Sequence, residues 1–345
     1  LSSWGIDERV NASNVSTIQV RGKKQEVWKR FMDNDRAVAI KYASKWASSS
    51  NYWKNSIGMN KAIANLGVIE QKQQLEDKIR DWYGNRRDLT DRFGQMFSTL
   101  KEAYTKRRND VYAMGFFRET FMRGIELYRV AHMLNTMPTD ADSTEAEGVR
   151  TRMEAFFKDY DAKLDEATMA ALLKKYREQV TDKKYWPECY NAIDSLYGGD
   201  EAAYAHDVFS KTICKDLFSV EKLLADSTLR ETDPALLYAA GIPIKMQEIA
   251  GGSRNASTVI DYNEHLLTQA LLEMDQEMPH YSDANFTMRL SYGYIQDYTA
   301  EGQHYQYYTN AKSLLDKAAK QKKIEDYKLE KDIVSLMKKG KWGRY

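Results

Sequence analysis

The sequence is poor in proline. Only 5 of its 345 residues are Pro. That scarcity argues against many short strands joined by turns and favours long helices. Cysteine is nearly absent too, with Cys189 and Cys214 alone. Two cysteines define no disulfide framework, so pairing and the redox compartment stay open. Each reads as a small core residue rather than a ligand or nucleophile. There is no excess of one charge, with Lys plus Arg at 51 and Asp plus Glu at 50. A nucleic-acid binder usually shows a basic surplus. The short run Lys338-Lys339-Gly340-Lys341 reads as solvated tail, and no nucleic-acid partner is expected. No apolar run approaches the ~20 residues that a membrane-spanning helix needs.

The usual catalytic signatures are also missing. No Gly-x-Ser-x-Gly elbow occurs. Its nearest lookalike, Gly251-Gly252-Ser253, reads as a loop and cap between two helices. The five histidines (His132, His206, His265, His280 and His304) stand at no zinc spacing, so no metal is expected. His206 and Asp207 are neighbours, but adjacent helical residues point about 100° apart. There is no phosphate loop and no dinucleotide fingerprint, and no cofactor is implied. Glu264, Glu273 and Glu277 read as parts of solvated helix faces. The sequence therefore holds no catalytic set of its own.

What is present is helical periodicity and tyrosine, which numbers 23. Val20, Val27, Phe31, Val38 and Tyr42 recur at helical spacing, with a bend expected near Asn34-Asp35 and a stop at Gly67. A second helix is expected over Val68–Tyr83. A third pattern, from Met96 through Phe117, Phe121 and Tyr128 to about Asn135, suggests one spine ~60 Å long. Asp140 to Gly148 reads as a polar loop. Shorter helices follow near 151–160, 165–180, 186–196, 200–212 and 220–224. Thr232-Asp233-Pro234 is a start signal for a helix to Ile249, and Ala256–Glu277 reads as another. After Pro279 the texture changes. Thr287 to Tyr292 alternates as a strand does and runs into Gly293, and residues 310–338 return to helix.

The expected fold is therefore mainly α: a large irregular helical domain over 16–278. It is flanked by strand-containing pieces at 1–15 and 279–345, with a strand near 287–293. The chain opens at Leu1-Ser2-Ser3-Trp4 and closes at Trp342-Gly343-Arg344-Tyr345, and both ends read as cuts through a longer protein.

One helical stretch stands apart. It carries an aromatic stripe with Trp46 and Trp53 beside a face of small and polar residues: Ser44, Ala47, Ser48, Asn51, Asn55 and Gly58. The plain reading is a helix–helix contact with a satisfied buried Asn51.

That stretch also carries a resemblance. Tyr42-Ala43-Ser44-Lys45 and Ser49-Ser50-Asn51-Tyr52-Trp53-Lys54-Asn55-Ser56-Ile57-Gly58-Met59 resemble the bacterial dipeptidyl-peptidase 7 and dipeptidyl-peptidase 11 family of serine exopeptidases. Asp283-Ala284-Asn285-Phe286-Thr287-Met288-Arg289-Leu290-Ser291-Tyr292-Gly293 is similar to that family's return from its helical domain. Leu271-Leu272-Glu273-Met274 and Gly343-Arg344-Tyr345 also fit. Ser282 departs, standing where members often have proline.

The resemblance implies a chymotrypsin-like β-barrel with an inserted helical domain that caps the cleft. Such enzymes remove dipeptides from free peptide N-termini. The triad His and Asp would precede this segment, and the Ser would follow it in a Gly-Asn-Ser-Gly turn. Residues 1–15 would then be the end of a barrel segment and a linker. The chain would be the helical cap, inactive alone. Its partners would be the peptide N-terminus and the barrel of its own parent chain, with a homodimer possible in the whole protein. Its location would be the bacterial periplasm or cell surface. Asn51 would bind the substrate's α-amino group. Trp46, Tyr52, Trp53 and Asn55 are candidates for the cleft wall. The competing expectation is a stand-alone helical scaffold that binds a protein partner through its Tyr- and Trp-rich faces.

Overall fold

The computed structural model describes residues 1–139, 141–277, 286–288, 290–300, 302–322 and 327–340. It divides into two compact units, Leu1–Pro279 and His280–Tyr345. The fold is mainly α. His280, Ser282, residues 283–285, Arg289 and the closing Gly343-Arg344-Tyr345 lie outside the described residues.

The first unit begins with α1 (Ser3–Glu8), a π-helical turn (Arg9–Asn14) and α2 (Val15–Asn34), which run on without a break. Residues 3–14 are thus helical, not the strand end and linker suggested by the sequence. Two carboxylates anchor their start. Glu264 accepts from Ser2 N (3.0 Å) and Ser2 Oγ (2.7 Å), and Glu76 accepts from Ser3 N (2.6 Å). Carboxylates favour a helix N-terminus because its first N–H groups have no intrahelical partner.

The bend near Asn34 is a true break. Asp35 is extended and caps α3 (Arg36–Asn65), its side chain accepting from Ala37 N at 2.7 Å. Gly67, with φ +59°, turns the chain into α4 (Val68–Gly84), as its position foretold. Then come α5 (Arg87–Phe93) and α6 (Met96–Phe117).

The single spine expected from Met96 to Asn135 is interrupted. A π-helical turn at Arg118–Met122 and a non-helical Arg123–Glu126 separate α6 from α7 (Leu127–Thr136). Gly124 lies in the break. A Cβ there would collide with Leu172 Cδ1 and sit closer than 2.8 Å to the backbone oxygens of Glu119 and Thr120. The helical spacing of apolar residues persists across this break, so periodicity alone did not reveal it.

The expected polar loop at 140–148 is mostly helical. Asp142 and Glu145 form a capping box at the start of α8 (Ser143–Lys158). Next are α9 (Ala162–Gln179), α10 (Cys189–Leu196), α11 (Glu201–Lys211), α12 (Ser219–Ala225) and α13 (Leu229–Thr232).

The true spine is α14 (Pro234–Met274), 41 residues in one helix. Asp233 caps it and Pro234 opens it, as expected. The Gly251-Gly252-Ser253 loop does not exist. Gly252 lies within the helix and faces α6, where a Cβ would sit 2.9 Å from Asp110 Oδ2. Gly252 leaves room for the Asp110 side chain of the neighbouring helix and makes no turn, and Gly251 faces open space.

Three apolar clusters hold the unit. One joins α7, α9, α10, α11 and the first half of α14 around Phe121, Tyr176, Tyr190 and Tyr238. Phe121 and Tyr176 meet edge to face with centroids 4.8 Å apart. A second joins α4, α5, α6 and the rest of α14 around Ile79, Phe93, Leu100 and Leu267. A third, small one seats α3 on α2 through Trp28 and Tyr42, 5.1 Å apart. Cys189 and Cys214 are free and buried. Burial pushes the Cys214 thiol up to about 12 and Cys189 higher still.

In the second unit, residues 286–288 and 290–294 are not a strand. Phe286, Met288, Leu290, Tyr292 and Tyr294 are almost fully exposed, and among the described residues no strand pairs with them. Among the described residues, the strands are β1 (Tyr298–Ala300) and β2 (Gln303–Tyr305). Gly302, at φ +71°, sits in the tight turn between them. The tail is helical, as expected: α15 (Ala311–Lys320) and α16 (Lys331–Lys339).

Candidate functional site

α3 carries the residues singled out above. Its stripe of larger side chains faces inward. Trp46 packs against the Trp28–Tyr42 cluster. Trp53 lies over Gly22 of α2, where a Cβ would sit 3.3 Å from the indole Nε1. That nitrogen is buried and unpaired.

The small and polar face points the other way. Ser44, Ala47, Ser48, Asn51, Asn55 and Gly58 are all exposed. Asn51 is therefore no buried amide at a helix–helix contact. It has no side-chain hydrogen bond to another described residue, so its oxygen and its NH2 are free to meet a ligand. Tyr52 and Asn55 are exposed beside it.

The helix beneath this face is tied down along its length. Near its start, Tyr42 OH donates to Glu126 Oε2 at 2.6 Å, and Lys45 Nζ lies 2.8 Å from Glu126 Oε1. At its centre, Ser50 Oγ donates to Gln25 Oε1 (2.9 Å) and Gln25 Nε2 donates to Ser49 Oγ (3.3 Å). Towards its end, Asn14 Nδ2 donates to Asn60 Oδ1 at 2.6 Å. A side chain on such a helix is held more narrowly than one on a loop.

Below α3 lies a layer of buried charge that sequence reading missed. Arg21 of α2 grips Glu119 with two hydrogen bonds, 2.7 Å from Nε and 3.2 Å from Nη2. Arg123 adds a third at 2.8 Å. These bonds hold the Glu119 carboxyl below the usual range despite its burial. Asp165 of α9 is buried and caps α7. It accepts from Glu126 N (2.9 Å), Leu127 N (2.7 Å) and Tyr160 OH (3.1 Å). Burial, then the charge of Glu126, push its carboxyl up to about 7 against those donors. The signal was in the sequence: Arg21, Lys24 and Trp28 share one helical face with Gln25, spaced three and four apart.

Lys24 is 6% exposed. Its ammonium sits over the Trp28 ring at 4.8 Å and donates to Arg123 O at 3.2 Å. Burial is the main cause that lowers it to about 8, and Arg21 adds to it. The folded state then gives up this proton before the unfolded chain does. Stability should rise with pH from about 8 towards 10.5. The window closes early, because burial raises the tyrosines Tyr42, Tyr160 and Tyr176, which oppose the gain near pH 10. Between pH 7.5 and 9.5 the native chain should gain about 1–2 kcal/mol relative to Lys24→Met. Urea titrations of both proteins at the two pH values measure this; parallel curves would contradict it.

Among the described residues no cluster of His, Cys, Asp and Glu could hold a metal. His206 and His304 each pair with a single carboxylate, Glu166 (2.9 Å) and Asp297 (3.1 Å). Ser253 Oγ lies 3.3 Å from the backbone oxygen of Ala250 inside α14.

Comparison with known proteins settles what the α3 motif belongs to. The whole chain, residues 1–345, matches the family described as peptidase S46. The chain belongs to the peptidase S46 family. A dipeptidyl-peptidase 7 from Porphyromonas gingivalis is 33% identical over 353 residues, covering 100% of this chain and 49% of that protein. An Asp/Glu-specific dipeptidyl-peptidase from the same organism is 25% identical over 328 residues, covering 90% and 44%. The chain thus spans about half the length of the curated relatives it matches. The fold is that of a solved structure as well. The crystal structure of Porphyromonas endodontalis DPP11 in complex with the dipeptide Arg-Glu aligns with TM-score 0.81 at 23% identity. That alignment covers 100% of this chain and 50% of the other. The resemblance read from the α3 motif is therefore correct at the level of family and fold.

Proposed function

We propose that this segment is the substrate-capping portion of an S46 dipeptidyl-peptidase, which releases dipeptides from free peptide N-termini. Asn51 receives the peptide's ammonium. The observation that carries this reading is the exposed, small-residue face of α3 with an unpaired Asn51 at its centre, on a helix fixed at both ends. Small residues let a peptide backbone approach closely, and an amide oxygen accepts from an ammonium without adding a charge. In this reading the nucleophile, its histidine and its aspartate lie in the other half of the parent polypeptide.

The second unit supports the same reading. The exposed alternation of Phe286, Met288, Leu290, Tyr292 and Tyr294 is the pattern of a strand awaiting a sheet. A barrel of the parent chain would supply that partner. Whole S46 peptidases of this kind would act in the bacterial periplasm or at the cell surface.

The test compares the isolated segment with the full-length polypeptide on a dipeptidyl reporter. The full-length protein should release the dipeptide and the segment should not. Turnover by the isolated segment would overturn the reading.

A further inference from the structure

The seam between α2 and α3 is built of rungs. Trp28 of α2 meets Tyr42 of α3, and Trp46 packs against that pair. Three residues earlier on α2, Gln25 meets Ser49 and Ser50. Three residues earlier again, Gly22 lies under the Trp53 indole. The two helices thus run antiparallel, and steps of three or four residues keep every rung on the facing stripes.

The middle rung is polar although it is buried. Gln25 is 3% exposed, Ser49 4% and Ser50 8%. Both ends of the amide are used: Oε1 accepts from Ser50 Oγ at 2.9 Å and Nε2 donates to Ser49 Oγ at 3.3 Å. Methionine would fill the same space and need no partners. What the polar rung adds is register. Apolar contact is non-directional, so a seam of rings alone tolerates sliding. A slide of α3 by one turn, about 5.4 Å, would set the Gln25 amide against an indole and leave it unpaired. A buried polar group without partners is costly, and one such contact fixes register between paired helices. Asn51 follows Ser50 directly and leaves the helix about 100° around from it. The rung one residue away therefore sets where Asn51 stands.

We infer that Gln25 is a positioning residue for the peptide's ammonium: by bridging Ser49 and Ser50 it fixes the register of α3 and with it the place of Asn51. This rests on the reading of Asn51 given above.

The experiment uses the full-length polypeptide and a dipeptidyl reporter with a free α-amino group. Gln25→Met is made alone and together with Asn51→Ala. Alone it should lower kcat/KM about three- to tenfold, and by less than about 1.5-fold where Asn51 is already alanine. Unfolding midpoints should change little, because methionine fills the space and each serine hydroxyl can turn to a carbonyl one turn earlier. Ser50→Ala breaks the same rung from α3 and should repeat the pattern with a smaller loss; it replaces Gln25→Met if that variant does not fold. Equal losses in both backgrounds would show that Gln25 supports only the fold, and would overturn the proposal. No loss from Gln25→Met, while Asn51→Ala lowers kcat/KM, would overturn it as well and leave the Asn51 reading standing. No loss from Asn51→Ala itself would overturn both.

Discussion

Asp165→Ala is expected to lower the stability of the helical unit by about 3 kcal/mol. Asp165 is 1% exposed, and its two oxygens receive two backbone N–H groups at the start of α7 and the hydroxyl of Tyr160. Removing the carboxyl leaves those three donors buried without acceptors. Each such orphan costs about 1–3 kcal/mol, and partial relaxation keeps the sum below the maximum. The damage should spread to α3, because Glu126, the residue just before α7, also receives Tyr42 and Lys45. The variant also has a pH signature. Asp165 in the folded chain holds its proton up to about 7, above the ordinary aspartate value of 3.8. The folded state therefore binds more protons than the unfolded one between those values, and stability from this group falls as pH rises from about 4 to 7. Urea unfolding of native chain and variant at pH 4.5 and 7.5 tests both parts. The gap between them should be wider at pH 4.5.

If Asn51 receives the peptide's ammonium as proposed, Asn51→Ala should reduce kcat/KM of the full-length polypeptide about 10- to 100-fold, with little change in unfolding midpoint. One hydrogen bond to a charged group contributes about 1.5–3 kcal/mol, which is that range in rate. The small effect on stability follows from the structure. Asn51 is exposed and bonds to no other described side chain. Alanine is also a good helix former, so α3 should persist. A fall in stability matching the fall in activity would show that Asn51 holds the fold instead of the substrate.

Much of this was legible from residues alone. The breaks at Asp35 and Gly67 and the start at Asp233-Pro234 follow from caps and glycine chemistry, which act within a few residues. The family followed from the α3 motif. The errors came from features that depend on distant partners. Gly252 reads as a turn until Asp110 of α6 is seen beside it. The interruption at Gly124 preserves helical spacing on either side, so periodicity runs straight through it. Residues 3–14 show no clear apolar stripe because what they bury is small or polar, namely Ser3, Gly5, Ala12 and Asn14. The alternation around Leu290 marks strand chemistry, but a strand forms only where a sheet edge meets it.

At the site, the exposed face of α3 was visible as a pattern of small residues, though its direction was not. The buried cations Arg21 and Lys24 were not read from the sequence, although their three- and four-residue spacing with Trp28 puts them on one helical face. Their anions, Glu119, Glu126 and Asp165, are contributed from about 100 to 140 residues away and could be paired only in three dimensions.

The most direct test of the Asn51 assignment compares a peptide substrate having a free α-amino group with the same peptide acetylated there. Both are given to the full-length protein and to its Asn51→Ala variant. The native protein should strongly prefer the free amine, and the variant should lose a large part of that preference by slowing only on the free-amine peptide. If both proteins keep the same preference, Asn51 does not receive the ammonium, and the exposed face of α3 serves some other purpose.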